Sequence, residues 1–165
     1  MAVEIVTESA AQTRNVGRKF ARILRVGDSV ALTGELGSGK TVFVQGAVQG
    51  LGYKGHVTSP TFTLIHEYSA DVLIRHFDCF RLHQPSDVLT AGIEDYLDGD
   101  GILFVEWADK IKDYFNQWLW EINFFFVNNE ENNRRIRFRT SARTEAPDRI
   151  EDLKAILTGL AEMTP

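Results

Sequence analysis

Apolar residues recur at Val16, Phe20, Ile23 and Leu24, a three-and-four spacing that predicts an opening helix over residues 9–24. Ser9 and Gln12 stand at the distance of a capping box at its start. Gly27-Asp28 then turns the chain into the short apolar run 29–33, a strand pattern. Residues 40–51 read as a second helix, closed by Gly52. Pro60 blocks regular structure in 55–63, which predicts an exposed loop. A second strand region covers 72–80, interrupted by the polar residues Arg75, His76 and Asp78. Residues 85–97 can form a helix that begins at Pro85 or Ser86. Ile102, Leu103, Phe104 and Val105 follow a polar, glycine-containing turn, and so unbroken a run suits a strand buried on both faces of a parallel sheet. Beyond it the period shortens to two. Residues 118–127 and 135–140 predict two strands joined by a polar turn at 128–133, the second with Ile136 and Phe138 inside and Arg135, Arg137 and Arg139 on a basic outer face. Ile150, Leu153, Ile156, Leu157 and Leu160 form the stripe of a final helix.

This order predicts an α/β fold: a mainly parallel sheet flanked by helices, with a C-terminal antiparallel hairpin. A chain of 165 residues suits one domain spanning 1–165. No apolar run approaches the roughly 20 residues needed to cross a bilayer, and the first residues lack the basic-then-apolar pattern of a signal peptide. Cys79 is the only cysteine, which fits a reducing cytoplasm and a small buried hydrophobe. A net charge of −5 argues against a surface devoted to nucleic acid, although arginines crowd 134–143.

Between the first strand and second helix lies Gly34-Glu35-Leu36-Gly37-Ser38-Gly39-Lys40-Thr41, a match to G-x-x-x-x-G-K-[ST]. Each residue type has a mechanical reason. Glycines let successive N–H groups point inward around a phosphate, and the following helix adds the partial positive charge of its N-terminus. Lys40 reaches the outer phosphates, and the Thr41 hydroxyl is placed to hold Mg²⁺. The loop thus predicts a P-loop NTPase-like fold that binds a nucleoside triphosphate, ATP with Mg²⁺.

Hydrolysis also requires an acid near the metal, at the carboxyl end of a neighbouring strand. Two strands end in one: Asp78 and Glu106. Glu106 is the better metal candidate, directly or through water. Asp78 is suited either to orient the attacking water or to hold Mg²⁺ through water. Thr58, Ser59 and Thr61 sit where a loop could sense the γ-phosphate. The four histidines have no zinc-like spacing and read as structural or surface residues; Trp107 reads as either core or a lid.

Taken together, four segments resemble the TsaE family, also called YjeE, over residues 7–140: the phosphate loop, Ser59-Pro60-Thr61-Phe62-Thr63-Leu64, His76-Phe77-Asp78-Cys79-Phe80-Arg81-Leu82, and Val105-Glu106-Trp107. The resemblance implies a bacterial ATPase of tRNA threonylcarbamoyladenosine biosynthesis that works with TsaD and TsaB, meeting tRNA through that complex. It implies that Gly37, Ser38, Gly39, Lys40, Thr41 and Val42 hold the ATP phosphates, and that Thr41 and Glu106 serve Mg²⁺. Lys40, Thr61, Asp78 and Glu106 would carry catalysis, and Ala10, Asn133 and Arg134 would flank the nucleotide. The main rival is a P-loop small-molecule kinase, but the arginines that usually cover a transferred phosphate are missing between Leu82 and Asn133.

Overall fold

The structure, a computed structural model, describes residues 2–84, 87, 92–96, 99–127, 130–140 and 147–161. Among these, seven strands form one sheet: β1 (Ala2–Thr7), β2 (Ser29–Thr33), β3 (Ile65–Ser69), β4 (Leu73–Asp78), β5 (Gly101–Glu106), β6 (Trp120–Val127) and β7 (Glu130–Thr140), in the order β1-β7-β6-β2-β5-β4-β3. The central four, β6, β2, β5 and β4, are parallel. Antiparallel strands extend the sheet at both edges.

Three helices, α1 (Ala10–Phe20), α2 (Lys40–Gly50) and α3 (Pro147–Ala161), pack on one face through Val16, Phe20, Phe43, Val44, Ile150 and Leu153. The strands answer with Val30, Leu32, Ile102, Phe104, Trp120 and Ile136. The opposite face is covered over its central strands by Leu82, Ala108, Ile111 and Trp118, which pack on Ala31, Leu103 and Val105. Every residue of β5 is buried, as its uninterrupted apolar run predicts. Among the described residues, no helix is long and apolar enough to cross a membrane.

Several boundaries differ from the sequence pattern. The opening helix is regular only to Phe20, tightens into a 3₁₀ turn over Ala21–Ile23, and leaves Leu24 extended. Ser9 caps it by accepting the Gln12 N–H, and Gln12 returns the bond by accepting the Glu8 N–H. Residues 130–133 of the polar turn expected at 128–133 belong instead to β7, which begins at Glu130; residues 128–129 lie outside the described residues. The predicted helix at 85–97 lies largely outside the described residues; Ile93–Tyr96 within it forms a 3₁₀ turn. The basic outer face of β7 is present. Arg137 pairs with Glu4 across the sheet, and the guanidiniums of Arg135 and Arg137 lie 5.0 and 5.5 Å from the Phe125 ring.

Candidate functional site

β2 delivers the chain to the phosphate loop at the carboxyl edge of the parallel strands, where open α/β sheets bind ligands. Gly34 has φ +143°, and a Cβ there would lie 2.6 Å from the Phe124 carbonyl oxygen, so only glycine fits. Gly39, at φ +102°, begins α2 without a side-chain cap. The first amides of α2 therefore have no partner inside the helix.

Lys40 folds back into this loop. Its Nζ donates to the Gly34 and Glu35 carbonyls at 2.7 and 2.9 Å and lies 3.9 Å from the Trp107 ring centroid. Burial lowers its pKa, opposed in part by the carboxylates of Glu106, Asp78 and Asp109. Trp107 is thus a wall of the site, held with Phe80 at 5.1 Å between ring centroids.

The two strand-end acids stand side by side, since Asp78 and Glu106 are register partners of β4 and β5. Their donors differ. Glu106 accepts the Thr41 hydroxyl at 2.9 Å on one oxygen and His76 Nε2 at 2.8 Å on the other. Asp78 accepts the Thr61 hydroxyl at 2.5 Å, the Ser59 hydroxyl at 3.3 Å and the Phe80 N–H at 2.8 Å. Both carboxylates are buried at the base of a cleft of about 300 Å³, which also takes in Gly37, Ser38, Gly39, Lys40, Thr41 and Val42. Trp107, which lines this cleft, and Leu64, three residues after the lining Thr61, are the non-glycine residues with left-handed backbone among those described. Such strain collects where the surrounding structure must fix a functional backbone.

A second hollow, about 120 Å³, adjoins the loop between α1 and β7 and is lined by Ala10, Thr13, Gly37, Gly39, Val42, Asn132 and Arg134. Arg134 Nη2 donates to the Gly37 carbonyl at 3.2 Å, and its guanidinium lies 4.4 Å from the Phe126 ring. Asn133 is not brought here: its amide donates to Glu130 instead, and Asn132 takes the place beside Arg134. The register of β6 with β7 shifts here, from Phe126 opposite Arg134 to Val127 opposite Glu130, so residues 131–133 stand out of the ladder and Asn132, not Asn133, reaches the hollow. Nothing local in the sequence singles out Asn132 or Thr13. Nor does the sequence single out His76, because Arg75 and Asp78 make the same strand polar and only the structure shows that His76 is buried.

The oxygen donors fit a hard divalent cation. Thr41 donates its hydrogen to one Glu106 oxygen and His76 meets the other, which leaves the hydroxyl's lone pairs and the second lone pair of each carboxylate oxygen to face an ion. Among the described residues no group of three or more His, Cys, Asp or Glu could hold a metal unaided.

Sheet order, loop and paired acids define a P-loop NTPase-like α/β protein. Residues 7–136 match the family described as Threonylcarbamoyl adenosine biosynthesis protein TsaE, and the chain belongs to that family. It is 44% identical over 100 residues to the tRNA threonylcarbamoyladenosine biosynthesis protein TsaE of Haemophilus influenzae, a match covering 57% of this chain and 63%, just under two thirds, of that relative. The Bacillus subtilis protein of the same name is 38% identical over 112 residues, 67% of this chain and 70% of its own. The crystal structure of YdiB from Bacillus subtilis superposes with a TM-score of 0.76 at 27% identity, covering 98% of this chain and 97% of that one.

Proposed function

We propose that this protein binds ATP with Mg²⁺ and hydrolyses it in the cytoplasm as the ATPase of tRNA threonylcarbamoyladenosine biosynthesis. It would act with TsaD and TsaB and meet tRNA through them. The observation that carries this reading is the convergence of phosphate loop, Thr41 hydroxyl, Glu106 and Asp78 at one edge of the sheet.

The uncapped start of α2 and Lys40 neutralise the phosphates, with the lysine exchanging two loop carbonyls for phosphate oxygens. Thr41 and Glu106 would hold Mg²⁺, which supplies charge stabilisation to the phosphoryl group. Asp78 would orient the attacking water and accept its proton. Its carboxylate is occupied by the hydroxyls of Thr61 and Ser59. A γ-phosphate that draws those hydroxyls away would free it, which couples hydrolysis to loading. Ala10, Thr13, Asn132 and Arg134 would flank the nucleoside.

Phosphate release from ATP, measured for the protein alone and with TsaD and TsaB, tests the reading. Release should rise with the partners and vanish in Lys40→Ala. Release that ignores the partners while a small-molecule acceptor becomes phosphorylated would establish a kinase instead.

A further inference from the structure

His76 is 0% exposed, and its ring meets one polar partner, Glu106. Its other nitrogen, Nδ1, is buried without a hydrogen-bond partner among the described residues. A buried polar atom left unsatisfied is a net cost to the fold. An apolar side chain beside Ile74 on this core-facing side of β4 would avoid that cost, so packing alone does not call for an imidazole. The contact itself is well formed. A carboxylate only accepts, so Nε2 carries the hydrogen and donates it at 2.8 Å, while Thr41 donates to the second oxygen at 2.9 Å. Donors on opposite oxygens fix both the rotation and the direction of the Glu106 carboxylate. The Thr41 hydroxyl is anchored in turn on the first turn of α2.

We infer that His76 is a positioning residue: it locks the Glu106 carboxylate in the orientation that, with Thr41, receives the divalent cation accompanying the nucleotide. This deepens the reading of the cleft as an Mg²⁺–ATP site and rests on it. His76 is not among the residues that line the cleft. It lies outside the cleft, two residues before Asp78 on the same face of β4. Partners that orient a metal ligand typically change metal affinity about 10–100-fold when removed.

The test is calorimetric titration with a non-hydrolysable ATP analogue, in chelator and across a series of Mg²⁺ concentrations, for wild type, His76→Phe and His76→Gln. Affinity in chelator should be the same for all three, because the phosphate loop is untouched. The Mg²⁺ concentration that gives half of the added affinity should rise about tenfold or more in His76→Phe. It should return toward wild type in His76→Gln, which can again present an N–H. If His76→Phe does not fold, His76→Gln is compared with His76→Leu in the same way. A folded apolar variant with unaltered Mg²⁺ dependence overturns the assignment, as does equal loss of affinity with and without Mg²⁺. A wild-type protein whose nucleotide affinity ignores Mg²⁺ overturns the Mg²⁺–ATP reading of the cleft itself, and the positioning role with it.

Discussion

Lys40 is both buried and central to the loop, and these two facts set a pH dependence. Burial lowers its pKa from the ordinary 10.5. Between the lowered value and 10.5 the unfolded chain holds a proton that the folded protein has released, so this lysine makes stability rise with pH in that window. Below it, the desolvated ammonium is a constant burden on the fold. A bound polyphosphate reverses the balance, because anionic oxygens favour the charged amine. ATP binding at alkaline pH should therefore take up a proton at Lys40, and affinity should fall as pH climbs through the lowered pKa. Calorimetry in two buffers of different ionisation enthalpy measures that uptake; equal heats in both would contradict it. Cys79 has no comparable role. It is buried, and its thiol is pushed up to about 12, chiefly by desolvation, so it stays protonated and unreactive at neutral pH.

At the scale of elements, α1 and α2 touch backbone to backbone. A Cβ on Gly46 would stand 1.9 Å from the Arg14 carbonyl oxygen, and one on Gly17 would stand 2.1 Å from that of Phe43. No rotamer relieves such an overlap, because the obstacle is main chain. Gly46→Ala must push the helices apart, and overpacking of this kind costs about 1–3 kcal/mol. At about 2–4 °C per kcal/mol for a chain of this size, calorimetric Tm should drop by several degrees; an unchanged Tm would mean that the helices are not in close contact. The elements also divide by how legible they are in sequence. β2, α2 and β5 were readable because their signals are local: an apolar run, a glycine loop, a capping glycine. β1 and β3 were not. Their sequences, Ala2–Thr7 and Ile65–Ser69, are short and mixed, and they become strands by pairing with β7 and β4, distant or polar neighbours. The site divides in the same way. The loop and the two strand-end acids stand out in the chain. The His76–Glu106 contact depends on the parallel register of β4 with β5, and the choice of Asn132 over Asn133 depends on the register shift between β6 and β7.

For the molecule as a whole, β2 joins two kinds of demand. Its carboxyl end opens into the phosphate loop, while Asp28, just before its first residue, is buried in an ion pair with Arg149 of α3. Arg149 donates to both Asp28 oxygens, at 3.0 Å from Nη1 with Nη2 on the other, and to the Ile23 carbonyl. Asp28 also accepts the Arg25 N–H at 2.9 Å. The pair ties the C-terminal helix to the amino edge of the sheet, about 20 Å from the loop at roughly 3.3 Å per strand residue. Removing one partner of a buried pair strands the other charge in the interior, at about 3–5 kcal/mol. Arg149→Ala should therefore lower Tm sharply, and Asp28→Asn with Arg149→Met should recover much of the loss, since no charge is then left buried alone. Neither change reaches the cleft. With circular dichroism confirming the native state below the melt, both variants should bind ATP with the wild-type Kd. A weakened Kd in the folded Arg149→Ala protein would mean that β2 transmits strain along its length. Stability at one end of this strand and chemistry at the other would then be one property instead of two.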